Sequence, residues 1–291
     1  ELVDLFVEKG ADYWNKGMFY AAEGGHKDLV LFFIDKGANN WDWVIFSAAR
    51  GGHKELVDFF IEKGAGDWNM GMNGAAQGGH KDLVDFFIEK RANHWNEGLY
   101  FASFGGHKEL VEFFIEKGAN HWDVGMEGAA RGGHKNLVLY FIEKGANDWN
   151  WAMKGAAQGG HKDLVLFFIK KGANGWVLAM SASARRGDKD MVLFFIDNGP
   201  TDLLLGMCSA AQGGHEDLVN FFINKGVNEW SSGIYYSGAA GNKKLVEFFL
   251  SKDSGILEYA KYGAELKSRE NLYRIVNKKI CDNRIRENGE F

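Results

Sequence analysis

Apolar positions in this chain follow one short pattern that recurs along most of its length. In the segment Met70–Gln77, the residues Met72, Ala75 and Ala76 are spaced i, i+3, i+4, which predicts a short first helix with one apolar face. The following segment, Lys81–Lys90, has an apolar core of Leu, Val, Phe and Ile and leaves mainly acidic residues for water. It predicts a second helix that is buried on two sides, against its own unit and the next.

Histidines mark the period of this pattern. Successive histidines lie 27 residues apart, and the last gap is two steps: His26, His53, His80, His107, His134, His161 and His215. A fixed period of this length is typical of a solenoid, in which each unit packs only on its neighbours. We therefore predict an all-α helical solenoid of about ten helix pairs with short turns and little or no β-structure.

The register divides the chain into four segments of a single repeat domain, 1–291. Residues 1–14 form a partial N-terminal repeat, 15–253 the regular repeats, 254–282 a degenerate C-terminal capping repeat and 283–291 a tail. Glu1 aligns with the interior of a repeat, so we expect the sequence to be a fragment or to lack an upstream segment. Pro200 marks an irregular repeat, which is either a local bend or a drifted copy.

Residues at the turns have specific predicted roles. Gly79 fits a left-handed residue that ends the first helix. His80 begins the second helix, and because its slot holds Asp188 and Asn242 in other copies, we expect a side-chain acceptor for the free N–H groups there. Arg91 occupies a slot that is usually glycine, which predicts local strain.

A tryptophan recurs in what we predict to be the connection between repeats. It is replaced once, by Leu203: Trp14, Trp41, Trp68, Trp95, Trp122, Trp149, Trp176 and Trp230. We interpret this row as an apolar ladder that seals one edge of the solenoid. A row of exposed platforms for ligand stacking is the alternative.

Composition excludes several functional classes. The hydrophobic content is 46%, and the net charge of −5 offers no electrostatic basis for binding nucleic acid. The longest apolar runs, such as LVLFFI, are far too short to span a membrane. Cys208 and Cys281 lie far apart in the stack and are expected to be free thiols, as in a reducing compartment.

Catalytic and metal-binding motifs are not evident. Histidines in equivalent slots of stacked helices are about 8–10 Å apart, too far to share one zinc ion. We interpret His94 and His121, also one period apart, as exposed turn residues. No catalytic triad, CxxC motif or phosphate loop is indicated. We expect no enzymatic activity, no cofactor and no metal.

The repeat resembles the ankyrin repeat, over residues 1 to about 253. The matching elements are Ala75-Ala76, Gly79-His80, Leu83-Val84, Phe86-Phe87-Ile88 and Gly64-Ala65. Two features depart from the family pattern: the Thr-Pro-Leu-His opening is absent, and the period is 27 instead of about 33. The missing residues fall where the family's β-hairpin finger lies. Shortened repeats of this kind resemble those of giant DNA viruses of amoebae, which implies a cytoplasmic location, in an infected host cell or on a virion.

The resemblance implies protein–protein binding through first helices, which line the concave side in ankyrin-like solenoids. Three slots on or at the end of the first helix vary in chemical type between repeats, and aromatic, Arg and Met residues there are typical of binding hot spots. The candidate partner-binding residues are Trp43, Phe46, Arg50, Met70, Asn73, Tyr100, Phe104, Glu127, Arg131, Trp151 and Lys154. Drift without selection is the alternative explanation of this variation.

Two further expectations concern partners. A structural component of a viral particle or other assembly is the alternative to a binding scaffold. On the second helices, the slot that holds Asp58, Asp85 and Glu112 holds leucine in three later repeats, which suggests self-association if that slot faces water: Leu139, Leu166 and Leu193.

Overall fold

Each repeat that the structure describes folds as two helices of unequal length, as in the pair Trp68–Gly78 and Lys81–Glu89. The first helix begins two residues earlier than Met70, the predicted start. Asp67 explains this earlier start because its carboxylate accepts the N–H of Met70 at 3.0 Å and caps the helix. The tryptophan is therefore the first residue of the first helix, and its predicted place in the connection is wrong.

The computed structural model describes residues 14–252, and in this range all regular secondary structure is α-helix, joined by short turns. The predicted capping repeat at 254–282, the tail at 283–291 and nearly all of the partial repeat at 1–14 lie outside the described residues. The chain divides into two units, Glu1–Asp148 and Trp149–Phe291.

In the first unit, five helix pairs are described. They are Trp14–Glu23 and Lys27–Asp35, Trp41–Arg50 and Lys54–Glu62, Trp68–Gly78 and Lys81–Glu89, Trp95–Gly105 and Lys108–Glu116, and Trp122–Gly132 and Lys135–Glu143. In the second unit, four pairs are described. They are Trp149–Gly159 and Lys162–Lys170, Trp176–Arg186 and Lys189–Asn198, Leu203–Gly213 and Glu216–Asn224, and Trp230–Ala240 and Lys243–Lys252.

Within each unit, a first helix packs on its own second helix and on the first helices of adjacent repeats. This sequential packing confirms the predicted helical solenoid. The repeat core consists of the predicted apolar positions, and Met72, Val84 and Phe87 are fully buried. Because hydrophobic burial comes from neighbours in the stack, no single repeat could hold this core alone.

Small residues on the first helices allow close contact between them. A Cβ atom at Gly74 would lie 2.1 Å from the carbonyl oxygen of Phe46, on the preceding first helix, so only glycine fits without a shift. In the same helix, a Cβ at Gly71 would lie 2.3 Å from the ring of Phe87. Close helix packing thus offsets the helix-propensity cost of glycine, about 1 kcal/mol each.

Turn residues behave largely as predicted. Gly79 ends its helix in the left-handed conformation with φ of +82°. Arg91 has φ of +78° and is the one non-glycine residue with positive φ between 14 and 252, which confirms the predicted strain. In the irregular repeat, Gly199 is instead extended (φ −161°), because a residue that precedes proline avoids helical conformations.

Candidate interaction surface on the first helices

Structure places the eleven predicted binding residues in two classes. Phe46, Asn73 and Glu127 are buried, with 8%, 1% and 8% exposure, so the prediction of them as surface contacts is wrong. All three directly follow a buried core position and are covered by neighbouring first helices, whereas Tyr100 and Lys154, in the same slot, remain half-buried. The other eight are half-buried or exposed: Trp43, Arg50, Met70, Tyr100, Phe104, Arg131, Trp151 and Lys154.

In the first unit, aromatic rings and arginines from four repeats form one connected group. We call it the aromatic–arginine cluster, and it consists of Phe19, Tyr20, Trp43, Phe46, Arg50, Tyr100, Phe101, Phe104 and Arg131. The sequence patterns identified six of these residues. Phe19 and Tyr20 lie in the first described repeat, and Phe101 follows Tyr100 in a slot that holds glycine in several copies.

At its N-terminal end, the cluster is centred on Phe19. The Trp43 ring lies 4.4 Å from that of Phe19, and the Tyr20 ring meets Phe19 edge-on at 5.5 Å, centroid to centroid. The Arg50 guanidinium lies over Phe19 and Phe46, at 5.5 Å and 5.9 Å from the ring centroids. These contacts fix the orientation of Trp43, which remains 37% exposed, and of Tyr20, which is 58% exposed.

Phe101 joins this end of the cluster to the other. Its ring meets Phe46 edge-on at 5.4 Å, although the two residues belong to repeats that are separated by a third repeat. The intervening repeat has Gly74 in the slot equivalent to Phe101, and the missing side chain leaves room for the ring. The slot's variation between glycine and aromatic residues therefore has a packing consequence.

Arg131 organises the C-terminal end of the cluster. Its guanidinium donates to the Tyr100 hydroxyl at 2.9 Å and lies 4.8 Å from the centroid of the Phe104 ring. Burial raises the pKa of Tyr100, an effect that outweighs the opposing influence of Arg131, so the hydroxyl stays protonated at neutral pH. At the other end, Arg50 forms an ion pair with Glu23. Both arginines are held by neighbours within the unit.

In the second unit, the first helices expose a different set of residues. Trp151 and Leu178 occupy the same slot in adjacent repeats and are 41% and 45% exposed. The Lys154 ammonium lies over the Trp151 ring at 3.7 Å from a ring centroid. Arg185 and Arg186 end the next first helix and are both exposed.

The recurrent histidines do not cap the second helices, which corrects the sequence prediction. His107 has the N-cap position, but its side chain makes no capping hydrogen bond. Its Nε2 instead donates to the backbone carbonyl of Gln77, in the preceding repeat, at 3.0 Å. Four other histidines do the same, at 2.9–3.1 Å: His53, His80, His134 and His215. Only their replacements Asp188 and Asn242 accept an N–H group as caps.

Paired glycines make room for this imidazole. A Cβ at Gly105 would lie 2.2 Å from the carbonyl oxygen of Gln77, and one at Gly79 would lie 2.5 Å from the ring of His107. The Gly-Gly-His motif is therefore an inter-repeat contact. In the repeat that has Asp188, the guanidinium of Arg186 takes the equivalent place over Gly160.

Sequence reasoning missed a second inter-repeat linkage, formed by the residue after the tryptophan. The Asn69 Oδ1 atom accepts the backbone N–H groups of Asn93 and His94 at 2.9 and 3.1 Å. Five residues in equivalent slots form the same pair of bonds: Asn15, Asp42, Asn96, Asp123 and Asn150. The signal was available, since this slot holds Asn or Asp in six successive copies before it becomes Val177 and Leu204.

The tryptophans pack within their own repeats. Trp41 stacks on Phe60 of its second helix at 6.3 Å between centroids, and Trp149 stacks on Phe168 at 6.5 Å. Both indoles are half-buried. The structure thus favours a packing role, although the contact joins two helices of one repeat instead of forming a ladder between repeats.

Second helices carry a lysine–aromatic pattern on their outer face. The Lys54 ammonium lies 4.0 Å from the ring centroid of Phe86 in the next repeat, and Lys90 lies at 5.6 Å from the same ring. Lys54 also pairs with Asp58, four residues later. In the slot of Asp58, Leu139 and Leu166 are both 39% exposed. Leu193 is half-buried.

The structure also bears on metal binding, on the cysteines and on membrane spans. Between residues 14 and 252, no group of three or more His, Cys, Asp or Glu side chains could hold a metal ion. His94 and His121 are exposed N-cap residues. Cys208 is a buried free thiol, and Cys281 lies outside the described residues. Over the described range, the model has no helix of the length and apolarity that a membrane span requires.

A scan against models of protein families finds no match, and a search of curated proteins finds no similar sequence.

Proposed function

We propose that this chain is a non-catalytic protein-binding scaffold, an ankyrin-like solenoid that binds another protein through its concave first-helix surface. The observation that carries this proposal is the aromatic–arginine cluster. Aromatic residues and arginine are the types most enriched at binding hot spots. The cluster brings several of them together from four repeats, whereas exposed apolar residues on an ordinary surface are scattered singly.

Preorganisation supports the same function. Trp43 and Tyr20 are large, partly exposed side chains whose orientation is set by contact with the buried Phe19. Little side-chain entropy would be lost when a partner covers them, which favours affinity. Phe46 is buried, so we assign it a supporting role beneath the surface.

The proposed anchors are therefore revised to Tyr20, Trp43, Tyr100, Phe104 and Arg131. We expect the partner to be a protein and the location to be cytoplasmic, in a virus-infected cell or on a virion. These expectations come from the resemblance to ankyrin-like viral repeats. The surface chemistry supports only the binding role and says nothing about the location.

Alanine substitution on the two helix faces tests the proposal. The tagged full chain is used to capture a partner, and the affinity of that partner is then measured by calorimetry. Trp43→Ala should weaken binding by about 2 kcal/mol or more, roughly thirtyfold in Kd. Glu116→Ala, an exposed second-helix change, is the matched control and should leave the affinity unchanged. Thermal unfolding verifies that both variants fold.

A structural component of an assembly is the competing outcome. It would be indicated if Trp43→Ala binds normally while the chain associates with itself through the exposed Leu139 and Leu166. Replacing Leu139, Leu166 and Leu193 by Asp should then change the sedimentation coefficient. Under the scaffold proposal, these three changes leave partner affinity intact.

A further inference from the structure

First helices of the second unit differ in charge from those of the first unit. In the first unit, four of five first helices contain a carboxylate: Glu23, Asp42, Glu97, Asp123 and Glu127 supply them. The four in the second unit contain no Asp or Glu at all, while they contain Lys154, Arg185 and Arg186. A surface built from these helices therefore has cations and no carboxylates of its own.

Apolar side chains accompany these cations. Trp151 and Leu178 are among the most exposed large apolar residues of the described chain, at 41% and 45%. They occupy the same slot of adjacent first helices, and packed helices lie about 8–10 Å apart. Together they form one apolar pair near the N-terminal ends of these helices.

Arginines lie at the opposite end of the same surface. Arg185 follows Leu178 by seven residues, two turns of one helix, which places the two about 10 Å apart along the helix axis. Equivalent slots in the first unit hold Arg50 and Arg131, whose guanidinium groups lie over aromatic rings, those of Phe46 and Phe104. The nearby Asp188 and Asp202 serve as N-caps that accept backbone N–H groups.

We infer that this basic–apolar patch, comprising Trp151, Leu178, Arg185 and Arg186, binds an acidic protein segment that carries apolar side chains. The inference rests on the proposed function and specifies the chemistry of the partner. An apolar side chain of the bound segment covers Trp151 and Leu178. A carboxylate of the same segment, about 10 Å away, pairs with Arg185. In an extended segment, this distance corresponds to about three residues.

Charge complementarity is the physical basis. Arginine binds carboxylates with two parallel hydrogen bonds, and like charges in a competing segment would be repelled. An apolar contact alone would not distinguish between acidic and basic segments. The patch should therefore select by charge and retain its partner by apolar burial.

Fluorescence anisotropy with the full chain tests this inference. The probe is a short labelled peptide that repeats Asp-Glu-Leu-Phe. One control peptide has Lys in place of each acid, and a second has Ser in place of Leu and Phe. The acidic apolar peptide should bind at least about tenfold more tightly than either control, and added salt should weaken it.

Substitutions locate the binding. The double variant Arg185→Glu, Arg186→Glu should weaken the acidic peptide by about tenfold or more, as should Leu178→Ser. Lys170→Glu with Lys171→Glu is the matched control, since it changes the net charge equally at exposed positions on a second helix. That control should bind as the parent does, and circular dichroism confirms the fold of each variant.

Two results overturn the inference: equal binding of the lysine peptide, or equal weakening by both double variants. If the acidic peptide does not bind but partner capture still depends on Trp43, the inference is wrong and the proposed function stands. If the peptide binds through Arg185 while capture is independent of Trp43, the patch stands and the role of the aromatic–arginine cluster is wrong.

Discussion

Replacing Arg91 by glycine should leave the protein more stable than replacing it by alanine. Arg91 has φ of +78°, whereas the equivalent Gly64 and Gly118 have φ of +102° and +106°. A Cβ atom at either glycine would meet nothing within 4 Å, so the cost of a side chain in this slot comes from the backbone. A left-handed L-residue costs about 1–2 kcal/mol. Glycine loses about 0.5–1 kcal/mol more in conformational entropy on folding, which leaves a net gain of about 0.5–1 kcal/mol.

Charge at Arg91 complicates a direct comparison with the parent chain. Arg91 follows the C-terminal end of the helix Lys81–Glu89, where a cation is favourable by about 0.3–1 kcal/mol. Arg91→Ala removes this charge and keeps the left-handed Cβ. The difference between Arg91→Gly and Arg91→Ala therefore isolates the backbone contribution, about 0.5–1 kcal/mol in favour of glycine. The reciprocal change Gly118→Ala, which adds a left-handed Cβ and no charge, should destabilise by a similar amount.

Urea unfolding followed by circular dichroism gives the midpoints of all four proteins. Because a solenoid can unfold in steps, hydrogen exchange of the Ala92 amide provides a local measurement. This amide donates to the carbonyl of Phe87 at 3.0 Å, next to the strained residue. Slower exchange is expected in Arg91→Gly. The reasoning is refuted if Arg91→Gly is no more stable than Arg91→Ala.

Three other substitutions or treatments test the linkages and the buried thiol. His107→Ala should lower the free energy of unfolding in urea by about 1 kcal/mol or more. His107→Asp should lower it by less, because aspartate caps the helix, and an equal decrease in both variants would exclude this capping effect. Asn69→Leu should cost about 1–2 kcal/mol, since it leaves two N–H groups without their acceptor, whereas Asn69→Asp should be nearly neutral. Burial raises the pKa of Cys208 to about 11. Because only the thiolate reacts, Cys208 should be alkylated in the native state on the order of a hundredfold more slowly than an exposed cysteine, and the rate should rise with pH. Mass spectrometry measures the rate, and fast alkylation would contradict the prediction.

Most of the architecture follows from periodicity. The spacing of Met72, Ala75 and Ala76 identified the buried face of the first helix, and the glycine slots identified the left-handed turns. These features are local, and each depends on a few neighbouring residues. Trp68 and Asn69, at the start of the first helix, were missed because Asp67 was not identified as the residue that caps it.

Contacts between repeats were harder to predict. The acceptor of His107 is a backbone carbonyl 30 residues earlier, and a backbone atom leaves no mark in the sequence. Burial of Phe46 likewise depends on Phe19 and Phe101, which lie in other repeats. A variable slot therefore indicated where side chains differ, and only the packing of adjacent helices determined which of them are exposed.

The histidine linkage has a consequence for how such a gene can change in length. Donor and acceptor slots both recur every 27 residues, so removal of residues 81–107 from the first unit would bring His134 to the carbonyl of Gln77 in place of that of Phe104. Duplication of a whole repeat would likewise supply each new imidazole with a carbonyl. An insertion of another length would change the 30-residue spacing of the donor and acceptor on either side of it, and would leave later pairs unchanged. Recombination between copies therefore conserves the bonding pattern only in steps of one complete repeat.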